Sequence, residues 1–372
     1  MLAEAGAEAG RVALTQMPSV LVAMSGGVDS SVAACLLQEQ GYEVVGSHMR
    51  LVHLDDVEHG CCGPIARRDA AEVARIAGFP FEIADLSDAF QRTVIADSVA
   101  EHQAGRTPNP CARCNGEIKF GAFLRRADEL GVDLVATGHY VRSLRREGKW
   151  RLLRGLDPSK DQSYMLHMLG QRELDRSRFP VGSMRKRETR RLAASFGLPV
   201  ASKPDSQELC FAPGGDARAY LAGAAPHLVR DGDVVDVAGA VLGRHRGAAT
   251  YTVGQRRGVG VATGARTYVV DLDVAANRVI VGPEELLARR GLIVDRLTWV
   301  AGSPPSASPF EVEVSIRYRG TSVGAVVAVA GDGATASVEC RSALRAVAPG
   351  QSAVFYRSDE LLGGGRVVST VR

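Results

Sequence analysis

The sequence predicts an α/β fold in which an N-terminal parallel sheet is followed by a small central β-containing domain and a C-terminal β-barrel. Three observations lead to this prediction. Apolar strands alternate with helical segments in the first half, glycines end the first helices, and short alternating β segments fill the second half. At 372 residues the chain is also long for a single core, which suggests two or three domains.

The first half alternates between strands and helices. Helical spacing is interrupted at Gly41 and Gly78, where we expect the first two helices to end. A βαβα order implies parallel strands with helices on both faces, and ligands then bind at the carboxyl ends of the strands. The expected strands are 19–24, 43–49, 81–86 and 133–140, and the expected helices are 29–40, 66–78, 88–103 and 116–130.

The composition changes after about residue 205. The stretches 231–247 and 266–282 are short β segments broken by Gly and Asp, and strands typical of a small barrel follow from about 292. Residues 1–16 lack the basic start and apolar stretch of a signal peptide, so we expect a disordered leader there. The expected domains are 17–208, 209–275 and 276–372.

The composition is 45% hydrophobic and 23% charged, and no apolar run approaches the roughly 20 residues of a membrane helix. The seven cysteines are odd in number and follow no export signal, which argues against a framework of structural disulfides. We also expect a cytoplasmic protein, and a monomer. Net charge is +3, with basic clusters that predict either solvated faces or a surface for an acidic polymer. These clusters are 142–146, 184–191, 243–247, 254–258 and 316–320.

The most informative motif is SGGVDSS, residues 25–31, between the first predicted strand and helix. Its adjacent glycines let the backbone turn tightly, so that N–H groups of the loop and of the helix N-terminus face an anion. Ser25, Ser30 and Ser31 add hydroxyl donors. The chain has no G-x-x-x-x-G-K-[ST], so the lysine of a Walker loop is missing. The alternative is structural, with Asp29 and Ser30 capping the helix.

A second stretch, TPNPCARCNGEIKF (107–120), places Cys111 and Cys114 in a C-x-x-C behind two prolines. The residues alone leave three alternatives open: half of a zinc site, a redox pair, or a thiol that reacts with a substrate. We expect a loop up to Cys114 and a helix that starts near Asn115. The N-terminus of that helix would favour a thiolate at Cys114.

Seven motifs in order resemble those of the tRNA-specific 2-thiouridylases, also called tRNA-uridine 2-sulfurtransferases. The first is similar to the PP-loop of the N-type ATP pyrophosphatases, which make adenylates, and implies an adenine nucleotide α-hydrolase-like first domain. The resemblance runs from about Val20 to the C-terminus. The motifs are SGGVDSS (25–31), GRTPNPCARCNGEIKFG (105–121), ATGHY (136–140), LLRGLDPSKDQSYML (152–166), KPDSQELCF (203–211), YTVGQRRGVG (251–260) and PGQSAVFY (349–356).

This resemblance implies ATP-dependent 2-thiolation of the wobble uridine at tRNA position 34. ATP, with Mg²⁺, adenylates the C2 oxygen, and a cysteine persulfide then delivers sulfur to C2 as AMP leaves. The implied partners are tRNA and a cysteine desulfurase or sulfur-relay protein. Substitution at such a carbon needs an activated oxygen, a soft nucleophile and a thiol that resolves the S–S bond, so two cysteines are required.

The resemblance also implies site residues, one position at a time. Cys114 matches the nucleophile, Cys210 matches the persulfide carrier, and the two form a redox disulfide pair. Asp29 is expected near Mg²⁺ and pyrophosphate. The implied ATP contacts are Ala23, Met24, Ser25, Gly26, Gly27, Val28, Asp29, Ser30, Met49 and Gly138. The implied tRNA contacts are His139, Lys160, Asp161, Gln162, Arg317, Tyr318 and Gln351, with Asn109, Pro110 and Cys111 at the target base.

The chain departs from the family pattern at Cys111, where some members have an aspartate. An alternative hypothesis is a [4Fe–4S] cluster held by Cys111, Cys114 and Cys210, with the fourth iron open to sulfide. A zinc site at the adjacent Cys61 and Cys62 is a weaker alternative because their spacing suits chelation poorly. Two other classes remain open: a PP-loop synthetase acting on a small molecule, and a tRNA-binding protein without catalysis.

Overall fold

The structure is a computed structural model. The residues that it describes are 17–52, 63–205, 217–261 and 264–371. The expected leader and the cysteines Cys61, Cys62 and Cys210 lie outside these ranges. Within them, every helix is too short or too polar to cross a membrane.

Strands and helices alternate through the first half, as the sequence predicts. The strands are β1 (Ser19–Ala23), β2 (Glu43–Arg50), β3 (Phe81–Asp85), β4 (Leu134–Thr137), β5 (Val141–Arg146), β6 (Lys149–Arg154) and β7 (Ser177–Arg178). The helices are α1 (Val28–Glu39), α2 (Pro64–Ala77), α3 (Ser87–Phe90), α4 (Ala96–Gln103), α5 (Pro110–Cys114), α6 (Phe123–Glu129), α7 (Gln171–Asp175), α8 (Lys186–Ser195) and α9 (Ala217–Ala224). Gln91–Ile95 and Asn115–Ala122 are π-helical and join α3 to α4 and α5 to α6.

The N-terminal sheet is parallel, with its described strands in the order β3-β2-β1-β4-β7. Successive residues of β1 pack into two different cores: Val20 and Val22 into one, Leu21 and Ala23 into the other. From Val20 to Ala23 the strand is apolar at every position, because helices cover both faces of the sheet. The confirmed parallel order brings the carboxyl ends of β1, β2 and β4 to one edge, where the candidate site lies.

The second half is built from antiparallel pairs with one parallel exception. Four strands form the central sheet in the order β10-β11-β8-β9 within the described residues, and β11 pairs with β8 in parallel. The strands are β8 (Asp231–Asp236), β9 (Val241–Arg246), β10 (Tyr268–Asp273) and β11 (Arg278–Gly282). The domain boundary expected at 275–276 falls between the paired strands β10 and β11, and the division into domains stays a prediction.

A closed antiparallel barrel ends the described chain, which confirms the predicted fold class. Its order is β12-β15-β14-β13-β16-β17, and pairing of β12 with β17 closes it. The strands are β12 (Ala288–Trp299), β13 (Phe310–Ser315), β14 (Val323–Val329), β15 (Thr335–Arg345), β16 (Ser352–Arg357) and β17 (Glu360–Val371). The β5–β6 hairpin, which holds the basic cluster 142–146, also joins this sheet through β6 and β17. The first and last regions are therefore tied by backbone pairing.

Candidate active site

The loop between β1 and α1 is shaped for an anion. Gly26 has a φ of +67°, and a Cβ there would lie 2.1 Å from Ala66 O, so only glycine fits. The hydroxyls of Ser30 and Ser31 donate to Gly27 O at 3.2 and 2.9 Å, which stiffens the turn. The predicted strand–loop–helix is confirmed, although in this structure the two hydroxyls bond within the loop.

Gly138 brings the end of β4 against this loop. A Cβ at Gly138 would lie 2.6 Å from both Asp29 C and Ser30 N, so its backbone touches the first turn of α1. The expected nucleotide contacts at Gly138 and in residues 25–31 therefore lie side by side. Met49, expected to contact adenine, is half-buried near the end of β2, the strand on the other side of β1.

Asp29 is the most heavily engaged side chain of the loop. Lys186 Nζ lies 2.7 Å from Asp29 Oδ1 and 2.8 Å from Oδ2. Tyr140 Oη lies 2.8 Å from the same Oδ1 and 2.9 Å from Thr189 Oγ1. Burial, followed by the charge of Asp29, raises the pKa of Tyr140, so its hydroxyl stays protonated. Asp29 is thus held at the mouth of the loop by a lysine and a phenol from other elements.

Asp205 joins three basic side chains beside Asp29. Its carboxylate lies 2.7 Å from Lys160 Nζ, 2.8 Å from Lys186 Nζ and 3.0 Å from Arg190 Nη2. Burial alone would raise its pKa, but hydrogen bonds from Lys160 and Lys186 lower it to about 2. The carboxylate therefore remains charged at neutral pH and holds the cations together.

Lys203 extends this basic group to the other side of the loop. Its Nζ donates to Gly26 O at 2.9 Å and to Asp69 Oδ2 at 2.6 Å. Lysine ammonium groups are compact charges suited to phosphate. The sequence holds no Walker lysine, and Lys186 and Lys203 place ammonium groups beside this loop, each paired with a carboxylate.

Sequence reasoning assigned neither Lys186 nor Lys203 to the site. Lys186 belongs to the cluster 184–191, which was predicted to be either a solvated face or a surface for an acidic polymer, and the solvated-face alternative is wrong for Lys186. Its side chain is only 11% exposed and turns toward Asp29. Lys203 is the first residue of the motif 203–211, in which only Cys210 was assigned a role. The available signal was weak: one lysine within the basic cluster 184–191 and another at the start of the motif 203–211.

The helix that carries the two cysteines starts earlier than expected. Asn109 caps it, with Oδ1 accepting from Ala112 N at 3.1 Å, and Pro110 is its first residue. Helical structure then runs without a break to Glu129. Cys114 is therefore the last residue of α5 rather than the residue before a helix, and the N-terminus argument for its thiolate is wrong. An Asn-Pro pair is a standard helix start and was the missed signal.

Cys114 lies in an apolar cluster near the loop. It is 6% exposed and packs with Leu51 and Phe90, and Met49 packs against the same cluster. Cys111, one turn before it, is half-buried. The cysteine helix therefore lies at the same carboxyl edge of the sheet as the anion loop, where Met49 is also found.

His139 and Gln162, both expected to contact tRNA, are bonded within the protein. His139 is buried, and its Nδ1 lies 2.8 Å from Thr137 Oγ1. Burial, with a smaller contribution from Lys119, places the pKa of His139 well below its ordinary value, so the ring is neutral. Gln162 Oε1 accepts from Tyr140 N at 2.9 Å. The role of both residues toward tRNA stays a prediction.

The other residues expected to contact tRNA lie around the junction with the barrel. Asp161, Arg317 and Tyr318 line a cleft with a volume of about 360 Å³. Arg154 lies over the Tyr356 ring at 3.6 Å in the same cleft. Expected contacts that lie far apart in the sequence are thereby brought together in one cleft. Gln351 lies apart, against the loop that precedes α5.

The metal alternatives concern the cysteines. Among the residues that the structure describes, no group of three or more His, Cys, Asp or Glu side chains is placed to hold a metal ion. Cys210, Cys61 and Cys62 lie outside the described ranges. The [4Fe–4S] and zinc hypotheses therefore both remain predictions.

Comparison with known proteins identifies relatives along nearly the whole chain. Residues 18–214 match the family described as tRNA methyl transferase HUP domain, 220–283 the tRNA methyl transferase PRC-barrel domain, and 289–367 the aminomethyltransferase beta-barrel domain. A relative named tRNA-specific 2-thiouridylase MnmA from Heliobacterium modesticaldum is 47% identical over 356 residues, covering 94% of this chain and 92% of that protein. Relatives of the same name from Roseiflexus sp. and Chloroflexus aggregans are 45% and 47% identical, covering 94% of this chain and 99% and 98% of theirs.

Proposed function

The chain belongs to the family of the tRNA-specific 2-thiouridylases, and we propose that it replaces the C2 oxygen of the wobble uridine of tRNA with sulfur at the expense of ATP. The observation that carries the proposal is the juxtaposition of two sites. An anion loop with convergent lysines and a helix bearing two cysteines share one edge of the sheet. The anion loop suits an adenylation step, and the helix, through Cys114, suits a sulfur transfer.

The anion loop supports the adenylation step. The C2 oxygen attacks the α-phosphate of ATP, the bond to the β-phosphate breaks, and pyrophosphate leaves. Backbone N–H groups of residues 25–30, together with Lys186 and Lys203, would bind the phosphates and the departing charge. Bound Mg²⁺, which Asp29 would hold, supplies further charge neutralisation at the phosphates. Gly138 and Met49 would lie along the nucleotide.

Cys114 and Cys210 are the residues proposed for the sulfur transfer. A persulfide on Cys210, loaded by a cysteine desulfurase or relay protein, would attack C2 through its terminal sulfur, and AMP would leave with the C2 oxygen. The thiolate of Cys114 then attacks the Cys210 sulfur, breaking the S–S bond so that the terminal sulfur stays on C2. A Cys114–Cys210 disulfide results, and a thiol reductant returns both cysteines to the thiol state.

The cleft at the barrel supports a place for tRNA. Asp161, Arg317 and Tyr318 line it, whereas the Lys160 ammonium bonds to Asp205 beside the anion loop. Asn109, Pro110 and Cys111, at the start of the cysteine helix, would meet the target base. Extracting a base from its stack costs a few kcal/mol, which contacts in such a pocket must offset. An iron–sulfur cluster on Cys111, Cys114 and Cys210 is the alternative sulfur chemistry.

The proposal is tested with purified chain, a tRNA transcript, ATP, Mg²⁺ and a persulfide donor. Nucleoside mass spectrometry should show 2-thiouridine at the wobble position, lost in Cys114→Ala and in Cys210→Ala. Cys35→Ala is the matched control, because burial raises the pKa of that thiol to about 11 and keeps it protonated. Full thiolation by both site variants would refute the mechanism.

Two outcomes of the same assay separate the alternatives. Methylation and thiolation change the nucleoside mass by different amounts, so methyl transfer, the activity named in the description of the first matched family, would be recognised directly. Anaerobic preparations with and without iron test the cluster. Activity in fully iron-free protein would exclude the cluster. The cluster would be favoured if Cys111→Ala, Cys114→Ala and Cys210→Ala each lost both iron and activity.

A further inference from the structure

The loop that leads into α5 is held by the C-terminal barrel. Gln351 Nε2 donates to the carbonyl oxygens of Thr107 and Pro108 at 2.9 and 3.0 Å, and Thr107 N donates to Pro349 O at 2.7 Å. Gly350 has a φ of +93°, and a Cβ there would lie 2.8 Å from Thr107 O. The barrel backbone therefore lies directly against the loop, with no room for a side chain between them.

The next barrel residue, Ser352, reaches the cap of the cysteine helix. Asn109 Nδ2 donates to Ser352 Oγ at 3.2 Å, while Asn109 Oδ1 accepts from Ala112 N at 3.1 Å. One amide thus links the barrel to the first turn of α5. Because α5 carries Cys111 and Cys114, this contact links the barrel to the helix that holds both sulfurs.

A buried ion-pair network anchors the start of the loop. Glu101 is buried at the end of α4 and accepts from Arg106 at 2.7 and 2.9 Å, and Arg366 of β17 contacts the same carboxylate. Burial alone would raise the pKa of Glu101, but Arg106 and Arg366 lower it, so the carboxylate stays charged. Separating a buried charge from its partners is costly. Between this anchor and Asn109, Gln351 holds the carbonyls of Thr107 and Pro108, beside the backbone bond from Thr107 N to Pro349 O.

We propose that Gln351 is a positioning residue for the cysteine helix and that the barrel thereby completes the thiol site. Both N–H groups of its amide are used on Thr107 and Pro108, and the remaining Oε1 is an acceptor that a phosphate cannot use. This differs from the direct tRNA contact expected at Gln351. The proposal rests on the proposed function only for its activity readout.

The test compares Gln351→Met with Gln38→Met. Methionine keeps the length of glutamine and removes both donors, and Gln38 donates to Ala77 O at 3.0 Å on a remote surface. Losing two hydrogen bonds should raise the population of undocked loop about tenfold. Alkylation of buried Cys114, followed by peptide mass spectrometry, should accelerate by about the same factor. Thiolation at saturating tRNA should slow, with tRNA affinity changed less than about twofold.

Ser352→Ala provides a second variant that removes one hydroxyl and keeps the backbone. It should accelerate Cys114 alkylation by a smaller factor than Gln351→Met does. Weaker tRNA binding with unchanged alkylation in Gln351→Met would overturn the proposal in favour of a direct tRNA contact, and unchanged alkylation in both variants would overturn it as well. The alkylation result stands even if the wild-type chain does not thiolate tRNA, so the two proposals fail separately.

Discussion

Lys186 Nζ lies within 2.8 Å of both carboxylate oxygens of Asp29, although 157 residues separate them in the sequence. Lys186 also contacts Asp205, so the lysine bridges two carboxylates at the mouth of the anion loop. Such a cation is placed to turn from carboxylate to phosphate when a nucleotide binds. If the proposed function holds, Lys186 would take the part that a Walker lysine plays in other nucleotide-binding loops.

Lys186→Met should weaken ATP binding about 10- to 100-fold, because a charge-assisted hydrogen bond is worth roughly 1.5–3 kcal/mol. Calorimetric titration with a non-hydrolysable ATP analogue measures this directly. Lys149→Met is the control, since Lys149 is exposed and donates only to Ala301 O among the hydrogen bonds described for it. Equal affinity in the two variants would remove Lys186 from the site.

Asp29→Ala should abolish adenylation while leaving most of the tRNA affinity. The carboxylate lies at the loop mouth beside Lys186 and is not among the residues that line the barrel cleft. Pyrophosphate release reports the first property, and filter binding of labelled tRNA reports the second. ATP-dependent thiolation at the wild-type rate in this variant would contradict the assignment of the loop.

Gly26→Ala should destabilise the protein by more than Gly131→Ala does. Both glycines have a φ of +67°, but a Cβ at Gly26 meets Ala66 O at 2.1 Å, whereas nothing lies within 4 Å of one at Gly131. The shared left-handed backbone costs roughly 1–2 kcal/mol, and only Gly26→Ala adds a clash. The difference between the free energies of unfolding of the two variants, measured in urea, isolates the cost of the clash. Equal losses of stability would mean that α2 does not press against the loop.

Stability should fall as the pH is lowered from about 6.5 toward 4. Burial lowers the pKa of His167 from 6.5 to about 4, against a smaller raising effect of Tyr164 O, and burial also lowers that of His139. The unfolded chain binds more protons than the folded one in this window, so stability present above pH 6.5 is lost as protons bind. The loss for His167 is about 3 kcal/mol.

Urea midpoints at pH 7 and pH 5 test this linkage. His167→Gln should show a smaller drop between the two pH values than the wild-type chain, with the remaining drop due partly to His139. An identical drop in both proteins would show that His167 does not titrate on unfolding. The result would then point to other groups with depressed pKa values.

Local features of the site could be predicted from the sequence. The loop of residues 25–31 depends on contacts within a few positions, such as Ser30 Oγ to Gly27 O, and its composition already specifies them. The parallel order of the sheet followed from the alternation of strands and helices. The start of α5 was also local, and reading Asn109 as a cap would have placed it correctly.

The strand–loop–helix, the parallel sheet, the β-rich second half and the C-x-x-C of Cys111 and Cys114 could all be read from the chain alone, because each rests on local sequence patterns. The contacts of Lys186 and Lys203 at the anion loop, and those of Gln351 with the loop before α5, became visible in the folded chain. These contacts join positions more than 150 residues apart. Their geometry depends on how the sheet, its covering helices and the barrel pack, which no local pattern records.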